Sequence, residues 1–178
     1  MTQAKPPIVN IADVDCVPTR QLMPKQPPQS ILDRFQASIG FISPQLGAQK
    51  LGYNLTVVPP GKQAFPFHNH RVNEEMFFII EGSGELRLGE QRYPVRGGDV
   101  IACPPGGPET AHQLINTSER ELKYLAVSTR LSPEICDYPD SGKFAIRAEF
   151  APAADGKTPP GFQYVGRETG ALDYWDGE

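Results

Sequence analysis

The sequence predicts an all-β fold, an antiparallel sandwich or barrel, from two observations. Short apolar runs recur along the middle of the chain, and Gly/Pro-rich separators punctuate them, drawn from 17 glycines and 19 prolines in 178 residues. Many short strands at regular spacing with such turns suit antiparallel sheets rather than βαβ units. The expected strands are residues 51–58, 75–81, 84–88, 91–95, 99–103, 111–116, 122–129 and 144–150. Pro59-Pro60-Gly61, Gly82-Ser83, Gly89-Glu90, Gly97-Gly98 and the stretch from Pro104 to Pro108 separate them. Ser83-Gly84 and Gly89-Glu90 stand where tight hairpins need positive φ. One helix is expected at residues 29–38, where Ser30 can cap and Ile31, Phe35 and Ile39 share a face. The segment Asp137 to Lys143 has the residues of a tight turn between two strands.

The ends differ from the middle. Prolines at 6, 7, 24, 27 and 28 make the first residues extended or irregular. Residues 151–161 read as a linker, and the tail beyond holds Tyr174 and the lone Trp175. The expected division is therefore an N-terminal extension over 1–45, a β-barrel over 46–150, and a linker and docking tail over 151–178. The run Met76 to Ile80 lacks polar alternation, so that strand is expected to be covered on both faces.

Composition excludes several classes. A net charge of −4, with basic residues scattered singly, argues against nucleic acid. No apolar run approaches the ~20 residues of a membrane span, and the first residues lack a signal-peptide apolar core. Cys16, Cys103 and Cys136 are odd in number and widely spaced, which is no disulfide framework. A reducing cytoplasm is the expected location.

All three histidines fall in two short segments. The first contains Gly61, His68, His70, Glu75 and Gly82; the second contains Gly98, Pro104, Gly106, His112 and Asn116. His68 and His70 are two apart, so on a strand both rings share a face. Imidazoles with one carboxylate suit a divalent transition metal: Fe, Mn, Zn, Ni or Cu. Glu75 shares parity with Phe77 and Ile79, whereas Glu74 points elsewhere and competes less well. The metal set is thus His68, His70, Glu75 and His112.

These two segments resemble the paired motifs of the cupin superfamily, small microbial members in particular. That resemblance implies a single antiparallel β-barrel of jelly-roll type, a double-stranded β-helix. The second segment departs from the pattern: five residues rather than two separate Gly106 from His112. Strict counting puts Glu109 at the ligand position; the strand-like run after His112 favours the histidine, leaving Glu109 at the mouth of the site or solvated. Similar sites in the family support dioxygenases, decarboxylases and isomerases of small acids and sugars, while other members only bind ligands or regulate. The expected function is a metal-dependent enzyme acting on a small polar molecule, the alternative a non-catalytic binding or regulatory protein, and no catalytic residue is assigned. Tyr53, Phe67, Phe77, Cys103, Glu109, Gln113 and Tyr124 are candidate pocket residues. Arg87, Arg92 and Arg96 lie on or near hairpins, so no arginine cluster marks a sugar-phosphate site. Unpaired sheet edges and the terminal segments point to a homodimer.

Overall fold

The computed structural model describes residues 7–23, 25–150 and 160–178. Thirteen strands are present among them. They are β1 (Val17–Pro18), β2 (Ser38–Phe41), β3 (Leu51–Val58), β4 (Asn69–His70), β5 (Glu75–Glu81), β6 (Ser83–Leu88), β7 (Gln91–Arg96), β8 (Val100–Cys103), β9 (His112–Ile115), β10 (Leu122–Thr129), β11 (Glu134–Tyr138), β12 (Lys143–Ala148) and β13 (Phe162–Gly166). Two single-turn helices, α1 (Gln29–Leu32) and α2 (Ser43–Leu46), accompany them.

Every pairing of named strands is antiparallel. The strands form three sheets: β1-β2-β3-β10-β5-β8, β13-β12-β11-β4 and β7-β6-β9. The fold is all-β and of jelly-roll type, built from three sheets rather than one continuous closed ladder. β10 lies at the heart of the largest sheet, with Tyr124 facing Thr56 on β3 and Ile79 on β5. Alternation sorts its side chains: Leu122, Tyr124 and Ala126 are buried, whereas their neighbours are only half-buried. Val58, Ile79, Cys103, Leu122 and Tyr124 are at most 1% exposed and form the centre of the core. Burying each large apolar side chain of this kind contributes about 1.5–3 kcal/mol.

Turn chemistry sets the registers. Gly89 (φ 54°) lies in the two-residue turn that pairs Leu88 with Gln91. Gly82 (φ 87°) ends β5 where a Cβ would collide with the Glu121 carbonyl.

Three expectations are corrected. The helix anticipated over 29–38 is one turn, Gln29–Leu32, and Ser38–Phe41 is a strand. Ile31, Phe35 and Ile39 are spaced for a helix, but tertiary pairing overrides propensity here. Ile39 pairs with Thr56, and Gly40 lies so close to Val14 that a side chain there would clash. Secondly, the anticipated turn over 137–143 is shorter: β11 runs to Tyr138, and Pro139–Ser141 with Gly142 make the reversal into β12. Thirdly, Tyr174 and Trp175 stack edge-on upon each other, 4.9 Å apart, and stay exposed instead of docking on the sheets of this chain. Upstream of that pair, β13 does pair with β12. Likewise β1 and β2, from the segment read as an extension, belong to the largest sheet. The linker expected at 151–161 lies, up to residue 159, outside the described residues, as do residues 1–6 and Pro24 of the irregular N-terminal segment. Phe78 on β5 is partly exposed, so the outward face of that strand is incompletely covered.

Candidate metal centre

The two histidine segments are stitched together by backbone. His68 N–H donates to His112 O at 3.2 Å, and His112 N–H donates to His68 O at 2.7 Å. Such a reciprocal antiparallel pair holds the two Cα atoms ~5.5 Å apart, and the rings lie 4.7 Å apart. Two residues on, His70 re-emerges on the same face, its ring 5.1 Å from that of His68. Asn69, between them, turns the other way. Its amide donates to Gly106 O (2.8 Å) and Asp137 Oδ2 (2.9 Å), tying the second segment beneath β4. Glu75 opens β5 and projects inward from across the site.

One potential ligand atom from each of His68, His70, Glu75 and His112 lies within 4.8 Å of the others. Glu75 Oε2 is 3.2 Å from His112 Nε2 and 3.6 Å from His70 Nε2. The outer nitrogens are committed elsewhere. His68 Nδ1 meets Pro66 O at 2.8 Å, His112 Nδ1 meets Thr110 O at 3.2 Å, and His70 Nδ1 meets Cys136 Sγ at 3.3 Å. A ring that donates from Nδ1 to a carbonyl leaves the Nε2 lone pair free to ligate. The donor set and its outer contacts therefore fit a divalent transition metal.

Electrostatics of the metal-free cluster divide: His68 and Glu75 are ready to ligate, and His70 carries a proton. Burial, then repulsion from His112 and His70, lowers His68 to about 4, so its ring is neutral near pH 7. Burial opposes charge on His70, but contacts with Cys136 and Glu75 outweigh it and raise the group to about 10. Burial likewise opposes Glu75, yet hydrogen bonds with His112 and His70 bring it down to about 2. Near pH 7 the cluster thus holds an imidazolium at His70 against the Glu75 carboxylate, a proton that a bound cation would have to displace.

The remaining sequence candidates separate. Glu109 sits in a 3-10 turn, is exposed, and accepts from Gly107 N–H, outside the cluster. Glu74 is exposed as well. Phe77 and Tyr124 form an apolar floor, Phe77 meeting His112 edge-on at 5.6 Å and Tyr124 at 5.2 Å. Cys103 pairs across from Glu75 and is fully buried; burial and that carboxylate push its thiol far up, so it is a small core group. Phe67 and Gln113 are corrected to positions outside the cluster: Gln113 follows His112 on β9 and by alternation faces the other way, and Phe67 lies before β4 and is buried under Arg87. Arg87 stacks 3.6 Å over the Phe67 ring, and Gln113 donates to Phe65 O at 2.7 Å.

A cavity of about 610 Å³ opens between the β3–β10 face and the β11–β12 hairpin, and His70 borders it. Of the pocket candidates only Tyr53 lines it. The sequence reading missed its other polar walls, Asn54, Asn73, Ser128, Glu134 and Cys136. Cys136 faces His70 because β11 pairs with β4, His70 opposite Cys136. Glu134 Oε2 lies 3.7 Å from His70 Nδ1, and its carboxylate accepts N–H bonds from Val72, Asn73 (backbone and side chain) and Ile135. No local spacing signals these residues; only the strand pairing assembles them.

Residues 54–128 match the family described as the cupin domain. Over those residues the chain is similar to a cupin domain. The structure aligns with that of a sugar phosphate isomerase from the cupin superfamily of Silicibacter pomeroyi, at TM-score 0.72 and 22% identity. That alignment covers 96% of this chain and 98% of the other. At that identity the likeness speaks for the fold. By sequence, the chain is 35% identical over 72 residues to an uncharacterized protein of Methanocaldococcus jannaschii, covering 40% of this chain and 54% of that protein. It is 30% identical over 70 residues to an oxalate-binding protein of Thermotoga maritima, covering 39% and 54%. The match thus spans about half the length of these curated relatives. Among the described residues no helix is long and apolar enough to cross a membrane.

Proposed function

We propose that this cupin is a metal-dependent enzyme acting on a small polar organic molecule admitted through the cavity beside His70. One observation carries the reading: four potential ligand atoms lie within 4.8 Å of one another, and one of the four residues, His70, also borders a 610 Å³ cavity. On an ion that takes five or six ligands, these four side chains would leave one or two positions open, and an open position beside a cavity characterises catalytic sites. A divalent ion held there would supply Lewis acidity toward substrate oxygens. His68, His70, Glu75 and His112 would hold it. Phe77 and Tyr124 exclude water from below, and Cys136 with Glu134 fixes the orientation of His70 from its outer nitrogen. The isomerase named among the structural neighbours and the oxalate-binding protein among the relatives both handle small oxygen-rich molecules by name, in keeping with this reading. A cytoplasmic homodimer belongs to the same proposal. Cys16, Cys103 and Cys136 are free thiols, and Phe78, Val100, Phe162, Tyr164 and Val165 leave apolar surface for a second copy.

Elemental analysis of protein purified without chelator tests the metal, with close to one transition metal per chain expected. Turnover screens of the loaded protein against small hydroxy acids, keto acids and sugar phosphates test catalysis. Stoichiometric metal with ligand binding but no turnover would leave a binding protein; absence of metal after loading would end the proposal.

A further inference from the structure

The cavity wall carries two arginines that the metal cluster does not use. Arg130 follows β10 and Arg147 lies on β12, and both line the cavity. Their guanidinium groups converge on one carboxylate. Arg130 Nη2 lies 3.5 and 3.4 Å from the two oxygens of Glu149, and Arg147 Nη2 lies 3.5 Å from Oε1. Charge-assisted bonds of this kind settle at ~2.7–2.9 Å when well formed. Two cations therefore share one loosely held anion, each with donors to spare. The cavity's other acid, Glu134, is already committed to its four N–H donors and to the His70 side.

Local construction holds the pair in place. A Cβ on Gly52 would lie 3.6 Å from Arg130 Cγ and 3.2 Å from Ser128 Oγ, so glycine there leaves the arginine stem its path. The Ser132 hydroxyl accepts from Glu149 N–H and donates to Glu149 O, which fixes the acid opposite Arg130. Arg147 pairs with Glu134, two residues along β11 from Cys136, the partner of His70. Arg147 is thus two residues along and two strand spacings across from His70, a backbone separation of about 12 Å, which its long side chain shortens.

We propose that Arg130 and Arg147 form an anion subsite. The molecule taken by the cavity carries a carboxylate or phosphate group that binds the two guanidinium forks in place of Glu149, with its uncharged polar end toward His70. This rests on the cavity being the substrate site, and it names the substrate class as a small organic acid or phosphate ester. Planar forks suit both groups through paired N–H···O bonds, and Glu149 keeps the place until such a ligand arrives.

Calorimetric titration of the full chain with inorganic phosphate and with succinate tests the proposal, run on metal-loaded and on chelator-treated protein. At least one anion is expected to bind in both states. Arg130→Gln and Arg147→Gln should each weaken it roughly tenfold or more, while Glu149→Gln should strengthen it, with metal content unchanged in all three. The gain in Glu149→Gln separates anion recognition from damage to folding. Preference for phosphate assigns a phosphate ester, and preference for succinate a carboxylic acid. Binding of neither anion at millimolar concentration would overturn the subsite, as would affinity indifferent to both arginine substitutions or tracking metal content alone. Because the chelated protein is titrated too, failure of the metal proposal is read separately from failure of the subsite.

Discussion

Raising the pH from 6 to 9 is expected to tighten metal binding about a thousandfold. The metal-free cluster holds a proton on His70, whose contacts with Cys136 and Glu75 overcome the cost of burial and raise it to about 10. A ligating imidazole must be neutral, so the ion has to displace that proton. His68, lowered to about 4, is already neutral over this range and adds no slope. With one proton released, log K climbs one unit per pH unit and levels off near pH 10. Over three pH units this is about 4 kcal/mol at ~1.36 kcal/mol per unit. Competition against a chromophoric chelator of known pH dependence gives the slope. Calorimetry in two buffers of different ionisation enthalpy gives the proton count at pH 7, expected near one. A flat affinity profile, or proton release near zero, would refute the assignment of an imidazolium to His70.

Three further outcomes are expected. His112→Ala should abolish most metal uptake and Glu109→Ala should leave it intact, because the exposed Glu109 carboxylate is held by its own turn; elemental analysis decides between them. Cys136→Ala removes the sulfur 3.3 Å from His70 Nδ1, one of the contacts that raise His70, and should move the rise of metal affinity to lower pH without unfolding the chain, measured by chelator competition and circular dichroism. Thermal stability of the metal-free protein should decline between pH 6.5 and 4, since the unfolded chain takes up a proton that buried His68 refuses until about 4. That is a loss of about 3 kcal/mol. The opposing His70–Glu75 pair contributes nothing to this slope in the same window. Its share from Glu75 fails only as pH falls from about 4.5 through about 2, and its share from His70 only as pH rises from about 6.5 through about 10.

Legibility in the sequence followed the range of the interactions. Leu51–Val58, Glu75–Glu81 and Leu122–Thr129 were readable to the residue, because each is an apolar run stopped by Gly, Pro or charged neighbours. β2 was not, since Ile31, Phe35 and Ile39 carry a helical spacing that only pairing with β3 overrules. β4 has two residues and cannot show a period at all. The clustering of His68, His70, Glu75 and His112 was readable because a two-residue repeat and a segment spacing are local facts. The cavity wall was not: Glu134, Cys136 and Arg147 come together only through the β4–β11–β12 ladder, Arg130 reaches the same cavity from the end of β10, and nothing in their own neighbourhoods distinguishes them. Gln113 was a pocket candidate without a register, and one step of parity from His112 puts it on the other face of β9.

The reciprocal backbone bonds between His68 and His112 have a bearing on how the chain assembles. Each bond joins residues separated by the whole of β5 to β8, so no fragment carrying a single histidine segment can form the cluster. Long-range closures of this sort come late and cost loop entropy. An ion that recognises only the completed cluster then favours the folded chain by mass action, by about 4 kcal/mol at a free concentration a thousand times its dissociation constant. The metal would act as a clasp between the two halves of the jelly roll, and cellular metal supply would set how long the folded protein lasts.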